Sequence, residues 1–158
     1  MKTIVGNVWD FYGQGKWVVI PTNGSVRSDG CAVMGKGVAL QAAQRLPALP
    51  RFLGSILSEP DSNHVHMLED FRVVIFPTKG HWKNGSETKL IERSAREMER
   101  LVRTTPSIAP VYMPKPGCGE GGLDWPQVEP LLKCLEELVV IVEYHSDWKG
   151  PLTKVGKP

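Results

Sequence analysis

Pro116-Gly117-Cys118-Gly119-Glu120-Gly121-Gly122-Leu123-Asp124-Trp125 places four glycines in six residues, far more than a simple turn needs. Successive backbone amides in such a loop can form a nest that binds an anion. Behind the loop lies an apolar run, residues 108–113, short enough for a buried strand. Ahead of it, Asp124 can cap a helix, Gln127 is its capping-box partner three positions on, and Pro126 suits the first turn. Val128, Leu131, Leu132, Leu135 and Leu138 then recur at helical spacing and lead into a further apolar run, residues 139–144. Strand, glycine loop, helix and strand in succession indicate an α/β fold.

The same grammar appears upstream. Apolar runs at 4–9, 17–20 and 72–76 read as strands, and 64–68 is expected to pair with 72–76 as a hairpin across Glu69 and Asp70. Val38, Ala39, Ala42, Ala43 and Leu46 form a helical pattern that stops before Pro47, and Ile91, Ala95, Met98 and Val102 form one stripe of an amphipathic helix within 86–103. Between the strand ending in Thr22-Asn23 and the first of these helices lies Met34-Gly35-Lys36-Gly37-Val38. Glycines at a helix start allow close backbone approach, and the free amides there favour an anion. The stretch is neither a Walker loop nor a GxGxxG fingerprint. The expected architecture is a three-layer α/β/α sandwich around a mixed central sheet. From about Asp147 the chain turns polar, and 147–158 reads as a loosely packed tail.

A length of 158 residues suits one domain with one sizeable core, and the net charge of +2 does not by itself point to a nucleic acid or a membrane surface. Cys31, Cys118 and Cys134 are odd in number and widely spaced, so free thiols in a reducing compartment are expected. With no signal-peptide pattern and no apolar run near the ~20 residues of a membrane span, the expected location is cytoplasmic.

Taken in order, four motifs resemble the macrodomain family across residues 1–145: Val5-Gly6-Asn7-Val8, the Thr22-Asn23 strand end, Met34-Gly35-Lys36-Gly37-Val38-Ala39-Leu40-Gln41, and Gly117 through Trp125. A further segment, Phe76-Pro77-Thr78-Lys79-Gly80-His81-Trp82-Lys83, is similar to the DarG-type macrodomains and the terminal ADP-ribose glycohydrolases. The resemblance implies a domain over 1–146 that binds ADP-ribose and removes it from a modified nucleic-acid base, with no cofactor and no metal. Other stand-alone members hydrolyse ADP-ribose 1''-phosphate or only read ADP-ribose, and both alternatives stay open. A monomer is expected, with single-stranded DNA as a candidate partner and no membrane.

By the same resemblance, Asn7 and Val8 lie at the adenine, with Asn7 replacing the family's aspartate. The ligand-binding set is completed by Thr22, Met34, Gly35, Lys36, Gly37, Val38, Thr78, Pro116, Gly117, Cys118, Gly119, Glu120, Gly121, Gly122 and Leu123. Asn23 is matched to an asparagine that reaches the distal ribose, and Lys79 to the lysine used in removing ADP-ribose. Two departures stand out: Gly121 occupies the position of a terminal-glycohydrolase aspartate, and the segment between Asn23 and Met34 is longer than in DarG-like chains.

Each residue also has a plainer reading. A lysine amine is neutral in only about 0.1% of molecules at pH 7.4, and nucleophilic attack needs the neutral form. An ammonium that stabilises charge on a leaving group is the easier role for Lys79, and a solvated surface charge is the plain one. His81 and Trp82 either stack on a base or anchor the loop to the core. Arg27, Arg45, Arg51 and Lys83 either touch a nucleic-acid backbone or are solvated. His64 and His66 have metal-ligand chemistry but no third ligand at a recognisable spacing. Cys118 sits where an anion-binding loop could depress its pKa, but small-residue packing is the simpler role.

Overall fold

Strand β2 (Val18–Asn23) and strand β4 (Val73–Lys79) pair in parallel at the heart of the computed structural model, which describes residues 1–144. Both are continuous apolar runs because both of their faces are covered, as parallel strands require. The remaining strands are β1 (Thr3–Val5), β3 (His66–Leu68), β5 (Val111–Met113) and β6 (Val139–Glu143). The order across the six-stranded sheet is β1-β6-β5-β2-β4-β3. Every pairing is parallel except β3 with β4, which form the expected hairpin with His66 opposite Ile75.

The alternating side chains of the strands feed two cores. On one face Val19, Val74, Phe76, Val111, Met113 and Ile141 pack on Ile91, Ala95, Met98 and Val102 of a long helix, whose range is Thr88–Thr104. On the other, Val18, Ile20, Val73, Ile75 and Val142 meet Trp9, Ala42, Leu49 and Leu53. These come from α1 (Val8–Gly13), α2 (Gly37–Arg45) and α3 (Leu49–Leu57), so the long helix is α4 and the molecule has the expected three layers. No helix among the described residues is long and apolar enough to cross a membrane.

Local chemistry shifts several expected boundaries. The apolar run 4–9 is a strand only to Val5, because the Asn7 side chain accepts the Trp9 N–H at 2.9 Å and starts a helix there. The run 108–113 begins as a 3-10 turn, Pro106–Ile108, and its strand is confined to Val111–Met113. After Asp124, Gln127 Oε1 accepts the Asp124 N–H at 2.9 Å, the capping-box contact expected there. The helix it starts, α5 (Trp125–Val128), soon passes into a 3-10 helix, Glu129–Leu135. Pro130 explains the change, since its ring collides with the carbonyl four residues back and it has no N–H to give. Helix α3 was not expected at all. The polar tail over 147–158 lies outside the described residues.

Helix α3 matters because it carries the first loop of the site. Ala32 donates its N–H to the Pro50 carbonyl at 2.8 Å, and Arg51 Nη1 reaches the Asp29 carbonyl at 3.3 Å. Gly54 lies so close that an added Cβ would overlap the Gly30 carbonyl oxygen and stand 2.9 Å from Ala32 N. Elsewhere in a helix, alanine is worth about 1 kcal/mol more than glycine. At this position Gly54→Ala is expected to destabilise the fold instead, by about 1–3 kcal/mol. Urea denaturation checks the sign, and a stabilised variant would mean the loop is not seated on α3.

Candidate functional site

Because β2, β4 and β5 run parallel, their C-terminal ends open on one edge of the sheet, where open α/β sheets hold ligands. Asn23 and Lys79 end their strands side by side in the β2–β4 register, beyond an irregularity between Thr22 and Asn23. Neighbouring strands lie about 4.8 Å apart, which makes these two residues immediate neighbours.

The loop that follows β2 folds back as a small hairpin, with Val26 bridged to Ala32. Asn23 fastens its base: Nδ2 donates to the Val33 carbonyl at 3.1 Å, and Oδ1 accepts the Ser25 N–H at 2.9 Å. The residue expected to reach a ribose is therefore also the clasp that shapes this loop. Beyond the hairpin, Met34 is buried, whereas Gly35, Lys36 and Gly37 are exposed. Gly37 has φ +58 and opens α2, whose N-terminus no side chain caps, and Val38 follows half-buried. Free amides and the positive end of the helix dipole face out together there.

In the second loop Gly117, Gly119 and Gly122 all have positive φ, at +77, +68 and +81. They play different parts. A Cβ on Gly117 would stand 2.7 Å from Ile91 Cδ1, so this glycine lets the buried Pro116-Gly117 turn sit on α4. Gly119 and Gly122 have open space around them and leave their backbone accessible. The loop closes on itself through Leu123 N–H to the Gly117 carbonyl and Gly122 N–H to the Gly119 carbonyl, both 3.0 Å. Leu123 anchors it on the core, and burial pushes the Cys118 thiol up, with Lys115 opposing and Asp124 adding to the rise. Cys118 is thus not a depressed-pKa thiolate. The two loops meet: Lys36 Nζ stands 3.5 Å from Glu120 Oε2, with both side chains mostly exposed.

A third segment, residues 80–87, ties the loops together. Gly24 N–H donates to the Gly80 carbonyl at 2.7 Å and Trp82 N–H to Ser25 Oγ at 3.1 Å, while Ser86 N–H donates to the Gly121 carbonyl at 2.9 Å. Trp82 is 45% exposed, which overturns the reading in which it anchors the loop to the core. An open depression of about 400 Å³ lies between Gly24-Ser25-Val26 and Gly80-His81-Trp82.

Other expected residues sit deeper. Asn7 and Val8 are buried, Asn7 as the cap of α1. Thr78 is buried and donates to the Thr22 carbonyl at 3.3 Å. The Thr22 hydroxyl is buried without a hydrogen-bond partner among the described residues. Arg45 lies over the Trp9 ring at 4.9 Å, and Arg27 pairs with Asp29 at 3.0 Å. His64 lies outside the strand; its Nδ1 meets Glu97 Oε2 at 2.7 Å, and His66 Nε2 meets the Ser62 carbonyl at 2.9 Å. Among the described residues no cluster of three or more His, Cys, Asp or Glu is placed to hold a metal ion.

Nothing in the sequence marks Asn63 or Ser86 as part of a site. Asn63 Nδ2 donates to the Lys79 carbonyl at 3.3 Å, and a Cβ on Gly24 would stand 2.9 Å from the same amide group. Both are polar loop residues that carry no motif, so only the folded chain reveals them.

No family model matches the chain. A DNA ADP-ribosyl glycohydrolase of Mycobacterium tuberculosis is 32% identical over 130 residues, which is 77% of this chain and 37% of that protein. The chain thus spans little more than a third of the curated relative it matches. Among solved structures, the macrodomain of Mycobacterium tuberculosis DarG superposes with a TM-score of 0.68 at 29% identity, covering 82% of this chain and 88% of that one. Thermosipho africanus DarTG in complex with ADP-ribose superposes with a TM-score of 0.66 at 26% identity, over 86% of this chain and 39% of that one.

The glycines of the second loop give a graded test. Gly119→Ala is expected to cost about 1–2 kcal/mol, the strain of a left-handed backbone alone. Gly117→Ala should cost more, because overpacking against Ile91 adds about 1–3 kcal/mol. Chemical denaturation of the two variants measures the difference, and equal losses would contradict the packing of Gly117 on α4.

Proposed function

This chain is a macrodomain, similar to those of the DarG DNA ADP-ribosyl glycohydrolases, and from that premise we propose that it binds ADP-ribose and hydrolyses it from a modified nucleic-acid base. The observation that carries the reading is the meeting of two glycine-rich loops at one sheet edge, 3.5 Å apart at Lys36–Glu120, beside the paired ends Asn23 and Lys79. The open amides at the start of α2 and in Gly119-Glu120-Gly121-Gly122 suit a diphosphate. The distal ribose then extends toward Asn23 and Lys79, with the adenine toward Asn7 and Val8.

In the reaction a water oxygen bonds to the anomeric carbon as the bond from that carbon to the base nitrogen breaks. The bonding pair leaves with the base, and a proton released from the water balances it. The Lys79 ammonium stabilises negative charge developing on the leaving base, and Asn23, itself held by Val33 and Ser25, orients the ribose. A second-loop carboxylate at position 121 would displace Ser86. A Cβ there would overlap Ser86 Oγ and stand 3.0 Å from Ser86 Cβ, so Ser86 would have to shift. This crowding favours Lys79 as the group that carries the chemistry.

Incubation with ADP-ribosylated DNA, ADP-ribosylated protein and ADP-ribose 1''-phosphate, side by side, tests the substrate class. Lys79→Ala is expected to remove most hydrolysis of ADP-ribosylated DNA while ADP-ribose affinity stays within about tenfold, or roughly 1.4 kcal/mol. The loops make most of the ground-state contacts, and Lys79 acts on charge that exists only near the transition state. Lys79→Arg should restore part of the rate, because it keeps charge but changes shape. Unchanged turnover in Lys79→Ala would remove this residue from the mechanism. ADP-ribose binding with no turnover of any substrate would make the domain a reader.

A further inference from the structure

The depression lined by Gly24, Ser25, Val26, Gly80, His81 and Trp82 shares no residue with the two glycine-rich segments proposed to hold the diphosphate. It begins one residue beyond Asn23 on one side and one beyond Lys79 on the other. Whatever leaves the anomeric carbon therefore has this space next to it. Its volume, about 400 Å³, falls within the range of small-molecule sites.

Its walls have a definite chemistry. The Trp82 backbone is held to Ser25 Oγ at 3.1 Å, yet the residue stays 45% exposed. The His81 ring stacks against the Trp82 ring, with centroids 5.9 Å apart and planes inclined by 27°, so the two form an aromatic pair at the depression. Lys83 Nζ lies over the Trp82 ring, 5.4 Å from its centroid, and adds a cation there. An exposed aromatic pair with a neighbouring cation suits a planar base joined to a phosphodiester, the combination used for single-stranded nucleic acids. A carboxylate or hydroxyl side chain of a protein carrying ADP-ribose offers neither a stacking ring nor a phosphodiester.

We infer that this depression is the subsite for the leaving side of the substrate, where a base of a single nucleic-acid strand stacks on Trp82 and the strand's phosphate meets Lys83. Its place in catalysis rests on the ADP-ribose reading above; its affinity for a strand does not. The test uses the full chain and a labelled, unmodified single-stranded oligonucleotide followed by fluorescence anisotropy at low salt, with ADP-ribose binding measured separately by calorimetry. Trp82→Ala is expected to weaken the oligonucleotide at least tenfold and Trp82→Phe less than threefold, because phenylalanine still stacks. Lys83→Ala should flatten the salt dependence. ADP-ribose affinity should stay within twofold in all three variants. Trp82→Ala that binds the oligonucleotide like the wild type overturns the subsite, as does a wild type that does not bind it. Loss of ADP-ribose affinity together with the oligonucleotide in Trp82→Ala also overturns it, because Trp82 would then only support the fold. Binding of the strand through Trp82 by a protein that ignores ADP-ribose upholds the stacking surface and refutes the ADP-ribose function.

Discussion

The parallel pairing of β2 with β4 is the constraint on which the site depends. Two parallel strands must end on the same edge, so the chain leaves both at one place and returns from it by separate loops. Asn23 and Lys79 are neighbours for that reason alone, although they lie 56 positions apart in the chain. The fifth strand, parallel to the second, delivers the other glycine-rich loop to the same edge. Covering both faces of this sheet with helices supplies the rigidity, since the interior residues of the two central strands are almost wholly removed from solvent.

Around that edge the backbone itself does most of the joining. Three loops exchange main-chain bonds at Gly24–Gly80 and Ser86–Gly121, and side chains such as Asn23 and Asn63 secure carbonyls rather than other side chains. Glycine serves two distinct ends here. At Gly54 and Gly117 it allows close packing against backbone or core, whereas at Gly119 and Gly37 it leaves open space over a left-handed turn. Four similar letters in the sequence thus divide into two that hold the scaffold and two that face solvent.

The sheet, the hairpin of β3 with β4, the amphipathic α4 and the cap at Asp124 were legible because each depends on a local signal of periodicity or capping. Val8 and Trp9 were misread since an apolar pair after a strand looks like more strand, and only the Asn7 cap turns it into a helix. Helix α3 was hidden by Pro47, Pro50 and Gly54, residues that suggest a loop until Pro50 is found in the first turn and Gly54 in a contact. The glycine loops announced themselves. The double use of Asn23, the support from Asn63 and the exposure of Trp82 did not, because each arises from contacts between segments far apart in the chain.

The seating of the 24–33 hairpin on α3 has a consequence for exchanging parts between related proteins. Its tip is joined to the helix through Ala32 and Pro50, Arg51 and the Asp29 carbonyl, and the bare surface of Gly54. The hairpin and the helix therefore form one cassette. A graft that moved the hairpin alone onto a helix with a side chain at position 54 would find its seat filled; moved together, the two carry their own fit into a new host.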